Sequence, residues 1–220
     1  MLAPTTIALA STVSIEEFLC PIDKTTFESN VQSSFYVQGM RLDLKPLGAV
    51  LAPEPVPVCP KDHFVVLDYE PEDLDKLKDY IPSAEYQQFA KEHSASYALV
   101  AKILEYLGAT PSDVGYAYLQ ASWQVEDQPH QNVQYLTESL KLFRQALEGH
   151  LEVTSDSISL ELLATELERR LGHFDLAENR LRRIKSGQIA LEGFLLEIVD
   201  YQLQLVANGD RGPHEAPSNE

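Results

Sequence analysis

From Pro71 to Ala207 every stretch with a hydrophobic period has the period of a helix, and the connections between these stretches are short. This constrains the fold more than any single motif, because sequential helices joined by short loops pack antiparallel. The starts and stops are marked. Pro71 opens "PEDLDKLKDYI" with acids in the first turn, where both residue types are favoured. Ser83 stands as the N-cap of "SAEYQQFAKE". In "SASYALVAKILEYLG" one face carries Tyr97, Val100, Ala101, Leu104 and Leu107, and Gly108 is a natural stop. Thr110 caps the next helix, with Pro111 behind it and Asp113 close to a capping-box position. Leu136, Leu140, Phe143 and Leu147 recur at helical spacing. "SISLELLATELERRLG" and "FDLAENRLRRIKS" turn about Gly172, and "ALEGFLLEIVDYQLQLVA" is the last helix. The pattern predicts about eight helices.

The N-terminal third reads differently. Residues 1–17 are expected to be a leader or an unstructured arm. No Lys or Arg precedes Lys24, and Ala8-Leu9-Ala10 before Ser11 matches a small-x-small cleavage pattern. A signal peptide with an incomplete start and a frayed terminus of a cytoplasmic protein both fit. Residues 18–68 form a small β ribbon. "TTFESNVQSSFYV" is rich in strand formers, and "MRLDLKPLGAVL" alternates Met40, Leu42 and Leu44 with Arg41, Asp43 and Lys45. "APEPVPVCP" carries four prolines and should run extended. Residues 69–208 make the helical domain, and the polar residues 209–220 should be a disordered tail. The fold class is therefore mainly α (α+β): an antiparallel helical array with a small N-terminal ribbon.

The ribbon holds a repeated motif. Cys-Pro-x-Asp occurs at Cys20 and at Cys59, and these are the only two cysteines. A zinc ribbon brings four ligands together from two Cys-x-x-Cys turns. Here Asp23 and Asp62 take the second place in each turn. Three readings follow. A retained metal, zinc, would use Cys20, Asp23, Cys59 and Asp62, with His63 as a substitute ligand. A Cys20–Cys59 disulfide would suit an oxidising compartment. Two buried free thiols, with the Asp residues as turn caps, are the third.

The helices raise the question of an internal repeat. In "LLATELERRLGHFDLAENRLRRI", Gly172, Phe174, Ala177 and Leu181 fall where a tetratricopeptide (TPR) unit places its turn glycine, aromatic, small and large apolar residues. Taken together, "CPIDKTTFESNVQSSF", "VCPKDHFVV" and "ELERRLGHFDLAENRL" resemble the bacterial family called domain of unknown function 2225. The resemblance runs from about Phe18 to Ala207. It implies a ribbon followed by TPR-like helices, and cysteine where Asp23 and Asp62 stand here. "GMRLDLKPLGAVLAPEPVPVCP" resembles a branch associated with export signals, which implies a periplasmic or secreted location, with a cytoplasmic one as the alternative. The resemblance implies no particular activity.

A net charge of −17 argues against nucleic acid and against an anionic membrane surface. No stretch approaches the roughly 20 apolar residues of a membrane span. No phosphate loop, dinucleotide fingerprint, nucleophile elbow or His-Glu-x-x-His motif is present. The run Arg169, Arg170, Arg180, Arg182, Arg183 and Lys185 is expected to be the solvated face of a helix pair. Tyr97, Tyr116, Tyr118 and Trp123 are candidate anchors for a protein or peptide in a groove, against core packing as the plain alternative. The leading expectation is a non-enzymatic, cofactor-free binding module. The alternatives are a metal-binding protein or metalloenzyme at the ribbon, and a structural subunit of an envelope assembly.

Overall fold

The computed structural model describes residues 11–148, 154, 157–187 and 193–218. It is mainly α with a small β part. Strands β1 (Thr12–Leu19) and β2 (Thr26–Ser34) form an antiparallel hairpin, and β3 (Tyr36–Met40) and β4 (Pro46–Ala49) form another. These are two separate two-stranded sheets, where the sequence suggested one ribbon. Strand β1 also occupies the C-terminal part of the expected arm, because its partner β2 pairs with it antiparallel from Thr12 to Leu19, with one register shift between Thr12 and Val13. The Ala8-Leu9-Ala10 pattern lies outside the described residues.

Eight helices follow among the described residues: α1 (Pro71–Tyr80), α2 (Ala84–Glu92), α3 (Ser96–Leu107), α4 (Pro111–Gln124), α5 (Pro129–Ala146), α6 (Ile158–Arg170), α7 (Phe174–Ser186) and α8 (Phe194–Ala207). Their ends follow the local chemistry. Ser83 Oγ accepts from Tyr86 N at 3.2 Å, and Thr110 Oγ1 accepts from Asp113 N at 3.3 Å. Gly108 ends α3 in the left-handed region at φ 75°, where a side chain would be strained. Each helix packs on the next from α3 to α8. One core joins both cysteines, Phe64 and Val65 to α1–α4, a second lies among α4, α5 and α6, and a third among α6, α7 and α8.

The turn between β3 and β4 departs from the expected alternation. Arg41 and Asp43 are buried, whereas Met40 and Leu44 are 44% and 40% exposed. Long-range ion pairing causes the inversion. Arg41 donates from Nε and Nη2 to the two Asp43 oxygens at 3.0 and 2.5 Å. Arg170, at the end of α6, donates to the same Asp43 from 127 residues away, at 2.5 Å. Glu126, just beyond α4, accepts from Arg41 Nη1 at 2.5 Å and from Lys45 Nζ at 2.6 Å. Burial alone would raise the Glu126 carboxyl, but Lys45 and Arg41 bring it below the ordinary range.

Residues 209–218, expected as a disordered tail, form an ordered strap. Leu42 N donates to His214 O at 2.9 Å and Ala216 N to Met40 O at 2.8 Å, so the strap extends the β3 edge. Arg169, fully buried, pairs with Glu166 at 2.6 Å and donates to the carbonyls of Asp210 and Gly212 at 2.6 and 2.7 Å. The basic run is therefore no uniform solvated face. Arg169 and Arg170 are interior, Arg180 bridges Glu161 and Glu168, and Arg182, Arg183 and Lys185 remain at the surface. Helical spacing shows which face a residue takes, but not that the C-terminal chain returns to cover it.

Removing Arg169 leaves Glu166 buried without its cation. Arg169→Met should cost about 3–5 kcal/mol in urea denaturation, and adding Glu166→Leu should restore only the part due to the unpaired carboxylate, because the Asp210 and Gly212 carbonyls still lack their donor. A single-variant loss below about 1 kcal/mol would contradict this role.

Candidate functional site

Two six-residue turns, Cys20–Thr25 and Cys59–Phe64, share one backbone geometry. Cys20 N donates to Thr25 O at 2.8 Å and Lys24 N to Cys20 O at 3.1 Å. The second turn repeats both bonds, Cys59 N to Phe64 O at 2.8 Å and His63 N to Cys59 O at 3.1 Å. Lys24 and His63 occupy the same left-handed position, φ 62° and 59°. The aspartates close each turn. Asp23 Oδ1 accepts from Thr25 N at 2.8 Å, and Asp62 Oδ1 accepts from Phe64 N at 2.9 Å. Proline fixes φ behind each cysteine, and a short acid caps the amide two residues on. The sequence repeat is thus a structural repeat.

The two turns face one another, and the structure joins Cys20 to Cys59, with Cα atoms 5.7 Å apart. Both cysteines are wholly buried. Tyr86 and Gln87 of α2 hold the second turn, donating to His63 O at 2.8 Å and Asp62 O at 2.7 Å. The first turn has no such anchor among the described residues beyond the bridge, the partly buried Ile22 and Phe27, and Lys61, which donates to Thr25 Oγ1 at 2.8 Å.

The five residues considered as metal ligands are only partly assembled. Cys20, Cys59 and Asp62 place their donor atoms within 4.8 Å of one another, the one such cluster among the described residues. Asp23 lies outside it, with its second oxygen taken by Thr25 Oγ1 at 2.8 Å, and so does His63. Three donors leave a tetrahedral zinc site incomplete, and bridged sulfurs offer no thiolate. The set does not fit zinc in this state. Asp62 lies 3.5 Å from Cys20 Sγ. Burial, with some help from Asp23, raises its carboxyl above the ordinary range. In contrast, hydrogen bonds from the Thr25 amide and hydroxyl lower Asp23.

The aromatic candidates lie elsewhere, two of them buried and two half-buried. Tyr118 and Trp123 are buried; Tyr118 donates to Glu105 at 3.4 Å, and Trp123 belongs to the second core. Tyr97 and Tyr116 are half-buried against the first and second cores. Both helix faces of α4 are covered, by α3 and by α5, so core packing takes the rings. Sequence spacing places Tyr116, Tyr118 and Trp123 on one helix and Tyr97 on the helix before it, but it does not show that α3 and α5 both flank α4.

What sequence reasoning missed is the apolar surface of the first hairpin. Val13, Ile15 and Leu19 share one face of β1, opposite the polar Gln32, Asn30 and Thr26 of β2, and are 48%, 68% and 58% exposed. Reading residues 1–17 as an arm hid the alternation that marks this strand.

Removing the bridge by Cys20→Ala with Cys59→Ala should cost about 4 kcal/mol by the loop-entropy model. Hydrogen exchange should quicken throughout by the global loss, and by more across β1 and β2, which then open locally, than across α3–α7. Equal loss of protection everywhere would contradict a local staple.

A search of curated proteins and a search of solved structures each returned no match. A family model described as an uncharacterized protein conserved in bacteria, DUF2225, matches residues 56–202, which take in the second Cys-Pro-x-Asp turn, α1 to α7 and much of α8. Cys20 and its turn precede the matched span. The chain belongs to this family of bacterial proteins, domain of unknown function 2225.

Proposed function

We propose that this chain is a non-enzymatic protein-interaction module that docks its partner through the β1–β2 hairpin. The observation that carries this reading is the exposed apolar row Val13, Ile15 and Leu19 on a hairpin whose strands touch the core through Phe27 alone among the described residues. Exposed apolar residues rimmed by polar ones mark interaction sites, and here Glu17 and Glu28 interrupt the row between Ile15 and Leu19. Glu17 and Glu28 stand directly opposite one another on the same face. Like charges opposed across a strand pair destabilise it, and a cationic partner relieves the repulsion. The partner is therefore a protein segment with apolar residues bordered by Lys or Arg.

The helical array serves as the rigid base. Its resemblance to a TPR stack is supported by Ala177 and Leu181, both fully buried where α7 packs on α6. An extracytoplasmic location accords with the Cys20–Cys59 bridge, since disulfides persist in oxidising compartments. The metal reading survives only for the reduced chain, where Cys20, Cys59 and Asp62 would supply three donors.

The test is a photo-cross-linker at Ile15, compared with one at Lys78 on the exposed face of α1, in the bacterial host. A discrete adduct from Ile15, absent from Lys78, abolished by Leu19→Asp and weakened by salt, is the expected result. Identical patterns from both positions would overturn the reading.

A further inference from the structure

Away from both hairpin and bridge lies a cavity of about 200 Å³ between the β3–β4 turn, the strap, α6 and α8. Its walls are mostly aliphatic, including Leu42, Leu162, Leu163, Leu195 and Ile198. One polar residue in the lining is out of place. Gln202, on α8, is completely buried, and its Oε1 has no hydrogen-bond partner. Its Nε2 reaches Leu162 O at 3.5 Å, which leaves the oxygen as the free end of the amide.

A buried acceptor without a donor costs about 1–3 kcal/mol, so it calls for an explanation. Water is a poor one. An ordered buried water needs two to four polar partners, and this cavity offers Gln202 deep in the wall and Ser159 at an exposed position. Arg41 also borders the space, but Asp43 and Glu126 hold its guanidinium, so no free charge faces a ligand. The volume exceeds the roughly 150 Å³ of an apolar cavity that takes up benzene.

We propose that this cavity binds a small, neutral, largely apolar molecule that presents one hydrogen-bond donor to Gln202 Oε1. The aliphatic walls supply affinity, and the amide supplies selectivity for a hydroxyl or N–H over an apolar isostere. The strap contributes Ala216 to the lining, held there by its amide hydrogen bond to Met40 O.

The test uses the full chain with indole and 1-methylindole, which differ in one N–H donor. Methyl NMR shifts of Leu162, Leu163 and Ile198 report occupancy. Indole should move these signals saturably and bind roughly tenfold more tightly than 1-methylindole, the worth of one hydrogen bond. Gln202→Leu should erase that preference while leaving the melting temperature unchanged or higher. No shift at these methyls with either probe, or equal affinity for both in the unaltered chain, would overturn the proposal. That comparison needs no variant, so a misfolded Gln202→Leu leaves the test intact.

Discussion

Asp43 is only 1% exposed, and a carboxylate so placed needs cations and donors around it. It has Arg41 beside it in sequence and Arg170 across the molecule, and Glu126 draws Arg41 and Lys45 toward α4. This arrangement fixes the β3–β4 turn against the ends of α4 and α6. Once the turn is fixed, its backbone can pair with the strap, and the strap can accept the guanidinium of Arg169. The cavity beside Gln202 exists because these pieces enclose it. A buried ionic centre is a costly way to hold a fold together, since desolvation opposes the Coulomb gain. What it supplies is register: an apolar turn could slide along the helices, whereas Asp43 has one position that meets both arginines.

The Cys20–Cys59 bridge plays a complementary part at the other end of the N-terminal segment. The second turn is bolted to α2 by Tyr86 and Gln87, and the first turn is bolted to the second. Two matching Asx-capped turns keep the sulfurs at bridging distance. The β1–β2 hairpin can then project from the body with its apolar row free. A covalent link and an ion cluster thus help hold the N-terminal segment, and the strands of the β1–β2 hairpin reach the core only through Phe27 among the described residues.

The helices were legible because their signals are local. Ser83, Thr110, Gly108 and Gly172 mark ends through bonds and dihedrals within a few residues, and all four act as the sequence implies. The repeated Cys-Pro-x-Asp motif was legible for the same reason. The burial of Arg41, Asp43, Arg169 and Arg170 was not, since each depends on a partner more than 40 residues away or on the returning strap. Polarity suggested solvent for them, and pairing put them inside. Composition likewise misled for residues 209–218, which are polar yet pinned by backbone bonds to Met40 and Leu42. Tyr118 and Trp123 show the converse limit, because an aromatic looks the same in sequence whether it fills a core or lines a groove.

The measurement that bears most directly on this account is a double-mutant cycle between Asp43 and Arg170, read by urea denaturation of Asp43→Ala, Arg170→Met and the pair. If the ion cluster sets the register of the N-terminal segment, the two positions should couple by about 2 kcal/mol or more. Additive losses, with coupling below about 0.5 kcal/mol, would contradict it.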